Sequence, residues 1–241
     1  MCGRITATFE FNDIKIRWNL EHDLAEFSPR FNIAPEQSTS ASGGTVPVII
    51  RDGHTNHCRA MNWGLIPNWA KDPAIGNQMI NARAETLTEK PAFKDLVARR
   101  RCIVPADGFY EWRKEGKRKI PMWVHLKSRE PFGLAGLWDV WRSPSGKRVE
   151  SFTIITTEPN ELVRPIHNRM PVILRPDDEE QWLDVHRTSF AKARSFLKPY
   201  SDELMAAHDV STVVNSAKYD GPECIQPVSD DPTPNTQLSL V

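Results

Sequence analysis

The second residue of the chain is a cysteine, and its position gives it distinctive chemistry. The sequence opens with Met1, Cys2, Gly3 and Arg4. Aminopeptidases remove an initiator methionine when the next residue is small, so the mature chain could begin at Cys2 with an α-amine and a thiol on adjacent carbons. Reference pKa values are about 7.7–8.0 for the amine and about 8.5 for the thiol, so both groups supply nucleophile near neutral pH. Alternatively, the cysteine stands there by chance and has no chemical role.

Three polar residues interrupt stretches that are otherwise apolar or typical of strands. They are Asn81 in "MINARAET", Glu111 in "DGFYEW" and His167 in "RPIHNRMPVIL". Each also has an alternative, purely structural interpretation. In that interpretation Asn81 satisfies backbone groups at a helix start, Glu111 pairs with a nearby cation, and His167 is a hydrogen-bonded core histidine. Glu111 is the strongest candidate for chemistry, because aromatic residues flank it and burial among them would raise its pKa toward useful acid–base values.

Composition excludes several classes of protein. The 241 residues include 31 Lys plus Arg and 31 Asp plus Glu, a balance that argues against a non-specific nucleic-acid coat. The four cysteines lie far apart, as is typical of reduced thiols in a cytosolic protein. The first twenty residues carry too many charges for a signal peptide, and no apolar run is long enough to span a membrane. We expect a cytoplasmic protein, nucleoid-associated if its source is bacterial.

Known cofactor and metal motifs are absent from the sequence. There is no GxSxG, P-loop or GxGxxG stretch. His54, His57 and Cys58 are close in sequence, but no second pair of ligands follows at a spacing usual for zinc. We therefore expect neither a metal nor a cofactor.

Hydrophobic patterns and turn residues predict strands in the middle of the chain and helices at its edges. The predicted strands are 4–11, a pair within 45–67 around the turn Asp52–Gly53, and extended segments within 102–158. The predicted helices are 12–20, 88–101, 177–184 and 189–207. Asn12 is the predicted cap of the first helix, and Thr88 is the predicted cap of the second. This order favours one α+β domain with a curved, barrel-like antiparallel sheet and flanking helices.

Seven stretches, taken together, resemble one protein family. In chain order they are "MCGRIT" (1–6), "RFNIAP" (30–35), "WGLIPNW" (63–69), "INARAET" (80–86), "RCIVPADGFYEW" (101–112), "IHNRMPVIL" (166–174) and "VVNSAKYDGPECIQPV" (213–228). The chain thereby resembles the SOS response-associated peptidase (SRAP) family, which includes bacterial and eukaryotic abasic-site processing proteins. The resemblance implies an SRAP domain over 1–228, without Met1 in the mature form, and a short tail over 229–241.

The resemblance also implies roles for individual residues. The implied catalytic residues are Cys2, Asn81, Glu111 and His167; the implied DNA-binding residues are Arg4, Asn32, Pro35, Trp69, Arg83, Thr156 and Arg169. Among the latter, the arginines match phosphate contacts, and Asn32, Pro35 and Trp69 match a shelf where single-stranded DNA meets duplex. Some members have a second aromatic after the shelf tryptophan, whereas Ala70 follows here.

The chemistry that the family implies suits an amino-terminal cysteine. The α-amine of Cys2 attacks the open aldehyde of an abasic sugar to give a Schiff base, and the thiol then closes a five-membered thiazolidine. The second attack is intramolecular, an arrangement that can be worth about 7–11 kcal/mol of barrier. The implied function is a monomeric sensor and shield of abasic sites in single-stranded DNA, with an associated autopeptidase and an abasic-site lyase activity.

Two other functions remain open on the sequence. Class II glutamine amidotransferases, which are amino-terminal-nucleophile amidohydrolases, also begin "MCG", but they continue with aliphatic residues and carry an "RGPD"-type segment that is missing here. A non-catalytic nucleic-acid-binding module is the second alternative. Residues 94–129 contain eleven Lys or Arg against four Asp or Glu, which is typical of a phosphate-binding groove or equally of a solvated hairpin.

Overall fold

The computed structural model describes residues 2–22, 24, 27–35 and 45–228, so Met1 and the predicted tail 229–241 lie outside the described residues. The strands are β1 (Ile5–Ala7), β2 (Arg30–Ile33), β3 (Val46–Asp52), β4 (Thr55–Trp63), β5 (Asn81–Arg83), β6 (Arg101–Ala106), β7 (Gly108–Glu115), β8 (Arg118–Leu126), β9 (Phe132–Arg142), β10 (Arg148–Thr157), β11 (Met170–Pro171) and β12 (Met205–Asp209). The α-helices are α1 (Phe11–Arg17), α2 (Pro176–Leu183) and α3 (Phe190–Ala193).

Five strands close into a barrel. Their order is β10-β4-β3-β6-β9, and β9 pairs again with β10 to complete the ring. The predicted α+β fold with a barrel-like sheet is confirmed. The sheet is mixed rather than wholly antiparallel, because β10 runs parallel to β4 and to β5. Long connections separate these strands in sequence, and such connections are what parallel pairing requires.

A second sheet, in the order β12-β8-β7-β1-β2, continues from the barrel. The chain passes from β6 to β7 at Asp107, whose carboxylate accepts hydrogen bonds from the Thr8 backbone N–H at 2.9 Å and from the hydroxyls of Thr6 and Thr8. These bonds fix β1 beside the start of β7, where Ile5 pairs with Phe109. The beginning of the chain is therefore held against the strand that carries Glu111.

Three predicted helices differ in the structure. Helix α1 begins at Phe11, because Glu10 and Asp13 cap it reciprocally, rather than at the predicted cap Asn12. Residues 88–99 form successive turns instead of a helix, with backbone acceptors only at intervals, such as Thr86, Lys90, Phe93 and Leu96. The buried side chains of this segment pack on the main core, so tertiary contacts decide its path.

The predicted helix over 189–207 is wrong in its second half. Only Phe190–Ala193 is α-helical, followed by the 3₁₀ turns Arg194–Phe196 and Asp202–Leu204. Met205 begins β12, which pairs with β8 along all five of its residues. Pairing with a sheet edge overrides the local helical pattern there. Among the described residues, none of the helices is long and apolar enough to cross a membrane.

Candidate active site

Cys2 is fixed inside the protein like a core residue. It is 0% exposed, and the side-chain amide of Asn81 donates a 2.7 Å hydrogen bond to its carbonyl oxygen. Its thiol donates to the carbonyl of Arg4 at 4.0 Å. Burial, together with the negative charge of Glu111, raises the pKa of the Cys2 thiol well above its ordinary value. The thiol is therefore protonated in the neutral pH range.

Glu111 lies on β7, close to the beginning of the chain. Two residues before it, Phe109 pairs with Ile5, and the backbone N–H of Tyr110 donates to the carbonyl of Arg4 at 3.0 Å. Glu111 is 4% exposed, and burial raises its carboxyl pKa, whereas the positive charges of the amino terminus and of His167 act in the opposite direction. The carboxyl group is thus within electrostatic reach of both Cys2 and His167.

Asn81 begins β5, which pairs in parallel with β10 and places Asn81 opposite Ile154. Its Nδ2 donates to the carbonyl of Cys2, but its buried Oδ1 has no hydrogen-bond partner among the described residues. A buried acceptor without a partner is costly, and most such groups in proteins are paired. This oxygen is consequently a candidate acceptor for a substrate hydroxyl or amine beside Cys2.

His167 follows a turn that Asn160 organises. The side-chain oxygen of Asn160 accepts from the Val163 N–H at 3.0 Å, and the His167 N–H donates to the Val163 carbonyl at 2.8 Å. Nδ1 of His167 accepts from the backbone N–H of Arg169 at 3.0 Å. Nδ1 also lies 3.3 Å from the Arg169 carbonyl oxygen; the shorter of the two contacts favours the neutral tautomer with its proton on Nε2.

The structure thus brings together the four residues named as catalytic in the sequence. Asn81 is hydrogen-bonded to Cys2, and Glu111 acts electrostatically on Cys2 and on His167. A thiol, a buried carboxyl, an imidazole and an amide oxygen form a set that can add a nucleophile to a carbonyl and move the protons involved.

The arginines named as phosphate contacts occupy different settings. Arg4 donates to Asn32 Oδ1 and to the Val214 carbonyl, each at 2.7 Å, and to the Asn215 carbonyl at 3.3 Å. Arg83 is exposed at the end of β5. The third, Arg169, forms a two-bond fork with Glu85 at 2.7 and 2.9 Å. Its guanidinium also donates to the carbonyl of Thr156 at 2.6 Å.

The residues named as a junction shelf are not equally accessible. Trp69 is 57% exposed, on a loop anchored where the backbone N–H of Asn68 donates to Asp139 Oδ2 at 2.8 Å. Pro35 is half-buried. Asn32 is 0% exposed, and its amide donates to the carbonyls at 214, 216 and 219. Thr156 is also buried. Direct DNA contact by Asn32 and Thr156 stays a prediction, and their burial favours a positioning role.

Sequence reasoning missed two residues that shape this region. Glu85 occupies the fork of Arg169, and Asp220 accepts from the backbone N–H groups of Phe31 and Asn32 at 2.6 and 2.9 Å. Both lie inside the motif stretches quoted above, so their position was visible although their partners were not. Only the folded chain shows that Asp220 comes next to β2.

Comparisons with known proteins show the family to which the chain is similar. The family model described as "SOS response associated peptidase (SRAP)" matches residues 1–217. The chain is 47% identical over 229 residues to the "Abasic site processing protein YoqW" of Bacillus subtilis (strain 168), covering 94% of this chain and 99% of that protein. It is 32% identical over 279 residues to the "Abasic site processing protein HMCES" of Rattus norvegicus, covering 94% of this chain and 76% of that protein.

A solved structure shows the same fold. The crystal structure of a Bacteroides thetaiotaomicron protein superposes with a TM-score of 0.84 at 30% identity, covering 94% of this chain and 100% of that one. The barrel, the buried Cys2 and the matched family model define one class of protein. The chain belongs to the SRAP family.

Proposed function

We propose that the protein processes abasic sites in DNA by forming a covalent thiazolidine through Cys2 after loss of Met1. The observation that carries the proposal is that Asn81 holds Cys2 within electrostatic reach of the buried carboxyl of Glu111. Relatives named as abasic site processing proteins support abasic DNA as the substrate. In this role the protein senses the lesion in single-stranded DNA and shields it from other reactions.

The α-amine of Cys2 attacks first. It adds to the aldehyde carbon of the open sugar, and the resulting carbinolamine loses water to form a Schiff base. The thiol, kept protonated by its raised pKa, then adds to the same carbon and releases its proton. This order follows from burial, because a thiol that stays protonated is a weak nucleophile. It therefore adds only after the aldehyde has become a protonated imine, which is the stronger electrophile.

Glu111 manages the protons of these steps. Because burial raises its pKa, the carboxyl takes up and returns protons more readily near neutral pH than an exposed glutamate does. It protonates the carbinolamine oxygen as water leaves, and its carboxylate form accepts the thiol proton during ring closure. Nε2–H of His167 donates to the ring oxygen of the closed sugar and so favours the open aldehyde.

Asn81 orients the reacting end. Its Nδ2 fixes the Cys2 carbonyl, and its Oδ1 accepts a hydrogen bond from the α-amine or the carbinolamine hydroxyl. The same Schiff base is an intermediate for β-elimination, so an abasic-site lyase activity forms part of the proposal. The peptidase activity in the proposal is the removal of Met1 itself.

DNA binding uses the surroundings of Cys2. Arg83 and Arg169 bind phosphates flanking the lesion, while Asn32 holds Arg4 in place close behind the nucleophile. Trp69 offers an exposed indole on which a base stacks at the junction of single strand and duplex. The proposed partner is therefore single-stranded DNA with an abasic site, bound by a monomer.

Denaturing gel electrophoresis with abasic single-stranded DNA tests the proposal. Wild-type protein should give a heat-stable shifted band, and intact-mass measurement should show that Met1 is absent. Cys2→Ala should lose the band but keep most non-covalent affinity, because the phosphate contacts come from arginines. Cys58→Ala, which removes a half-buried thiol outside the site, is the matched control.

A stable adduct with Cys2→Ala would overturn the thiazolidine mechanism. Absence of any band from wild-type protein lacking Met1 would favour the alternatives instead. An amidohydrolase would then turn over amide substrates, whereas a binding module would retain DNA affinity alone.

A further inference from the structure

A cavity of about 560 Å³ lies outside the site described above. Its walls come from the β3–β4 hairpin, from β9, from the turns before β6 and from the segment after α2. Four arginines line it, together with an indole: Arg51, Arg59, Arg99, Arg100 and Trp138. The volume falls in the range of about 300–1,000 Å³ that is usual for ligand sites.

Carboxylates already neutralise two of the four arginines. Arg51 pairs with Glu180 at 3.3 Å, and Arg59 pairs with Glu150 at 2.8 Å. Arg99 and Arg100 have no carboxylate oxygen within 4.0 Å in the part of the chain that the structure describes. Two consecutive arginines of the lining therefore form no ion pair there, although Arg99 Nε donates to the Asp95 carbonyl at 3.4 Å.

The two aspartates that line the cavity, Asp52 and Asp139, form no ion pair with Arg99 or Arg100. Asp139 lies within the wall, and its oxygens accept from the backbone N–H groups of Asn68 and Val140, each at 2.8 Å. Asp52 is exposed at the hairpin turn, and His186 lies after α2 on the opposite wall. These two aspartates equal Arg99 and Arg100 in number, so the attraction for an anion is local, at the two arginines that form no ion pair within the described residues.

Trp138 orders the arginines. The guanidinium of Arg100 lies over its ring at 4.3 Å from the centroid, and that of Arg59 lies at 6.0 Å. Stacking on an aromatic face leaves the N–H edges of a guanidinium available in its plane, which suits the two-bond recognition of a phosphate. Arg100 is consequently held in an orientation that can bind an anion without first losing side-chain freedom.

Asn68, the residue before the exposed Trp69, lines the cavity. The loop that carries Trp69 begins at the end of β4, where the Gly64 N–H donates to the Phe152 carbonyl at 2.9 Å, and Asn68, which lines the cavity, is fixed to Asp139 on β9. Phe152 pairs with Trp138, and Ile154 pairs with Asn81. These two positions are about 7 Å apart along β10. Asn81 and Trp138 therefore lie on the two strands that flank β10, two residues apart in register.

We propose that this cavity binds the phosphodiester backbone of the DNA arm that extends from the lesion across Trp69, with Arg99 and Arg100 as the phosphate ligands. An exposed indole beside an arginine-lined cavity combines a stacking surface with a phosphate site, as nucleic-acid-binding proteins do. This inference rests on the proposed function, since it assigns a second contact to the same DNA substrate.

The test compares two DNA substrates with the double variant Arg99→Gln/Arg100→Gln. One is a short single-stranded oligonucleotide centred on the abasic site, and the other is the same strand extended into a duplex arm. The double variant should bind the extended substrate about tenfold more weakly, and its log K against log salt slope should fall by about 2, one unit for each lost phosphate contact. Binding of the short substrate should remain unchanged.

The double variant Lys192→Gln/Lys198→Gln is the matched control, because it removes two exposed charges elsewhere. Equal effects in both double variants, or an unchanged salt slope with Arg99→Gln/Arg100→Gln, would overturn the inference. Titration of wild-type protein with inorganic phosphate and with a mononucleotide, followed by tryptophan fluorescence, separates a small-anion site from a DNA site. Saturable binding of either, lost in the arginine variant while DNA binding is unaffected, would also overturn it.

Crosslinking of wild-type protein to the short substrate distinguishes failure of the proposed function from failure of the cavity assignment. If that band is absent, the proposed function fails. If the band forms but the arginine variant behaves like wild type on both substrates, only the cavity assignment fails. Thermal melting of each variant confirms that the comparison is between folded proteins.

Discussion

Replacing Glu85 with glutamine should strengthen DNA binding, although Glu85 lies beside the proposed phosphate contacts. Both oxygens of Glu85 bind the guanidinium of Arg169, at 2.7 and 2.9 Å, in the planar two-bond geometry that arginine also uses for phosphate. Arg169 holds the pKa of Glu85 below its ordinary value, so the pair persists throughout the neutral range. A DNA phosphate that uses the same face of Arg169 must displace this carboxylate.

The size of the effect follows from the exposure of the pair. The Glu85 side chain is 51% exposed and that of Arg169 is 16% exposed. Ion pairs with one solvated partner contribute about 0.2–1 kcal/mol, and two-bond geometry places this pair toward the upper end. Glu85→Gln removes this competition and should tighten the dissociation constant by about two- to fivefold, since 1.4 kcal/mol corresponds to a factor of ten.

Fluorescence anisotropy with a tetrahydrofuran analogue of the abasic site measures this affinity, because the analogue has no aldehyde and cannot crosslink. Glu89→Gln is the control: Glu89 is exposed four residues further along and makes no ion pair within the described residues. Weaker binding by Glu85→Gln would mean that Glu85 positions Arg169 for DNA. If both variants bound DNA more tightly to the same extent, the effect would come from the loss of one negative charge and not from the pair of Glu85 with Arg169.

Four further predictions concern Glu111, His167 and Trp69. Glu111→Gln should slow crosslinking by about 10²–10⁴-fold in a single-turnover gel assay. Because burial raises the Glu111 pKa, wild-type stability should fall as pH rises from about 4.3 through the raised value, so melting curves should favour Glu111→Gln increasingly toward pH 7. His167→Ala should weaken DNA binding and slow capture, and an open-chain aldehyde on the DNA should rescue its capture rate more than that of Glu111→Gln; the opposite rescue would reverse their roles. Trp69→Ala should cost about 1–3 kcal/mol at a single-strand/duplex junction, and equal loss on intact duplex would contradict the shelf.

Sequence patterns predicted the class of fold but not how the barrel closes. Alternating strands and turn residues after residue 101 are local signals, and the structure bears them out. The parallel pairing of β10 with β4 and β5 depends on long connections, and no local pattern records it. Residues 88–99 and Met205 show the same limit, since burial against the core and a free sheet edge override the local helical pattern.

In the candidate active site, too, some features follow from the local sequence and others depend on contacts between distant residues. Residue types singled out Cys2, Asn81, Glu111 and His167, and the family resemblance predicted their catalytic roles, which stay predictions. The competition for Arg169 by Glu85 and the burial of Asn32 depend on residues far apart in sequence, so they required the folded chain. Accessibility in particular is a property of packing, and an asparagine in a strand gives no sign of whether it faces solvent.

The contact between Arg4 and the Val214 carbonyl has a consequence for how the protein is made. It joins residues 210 positions apart, and Asn32 reaches the same late segment at 214, 216 and 219. Contacts of such sequence separation form only after most of the chain exists. A growing polypeptide therefore exposes Cys2 on the ribosome long before the walls around it are synthesised. If Cys2 is the nucleophile, as proposed, newly made chains carry it early and complete the surrounding site only near the end of translation.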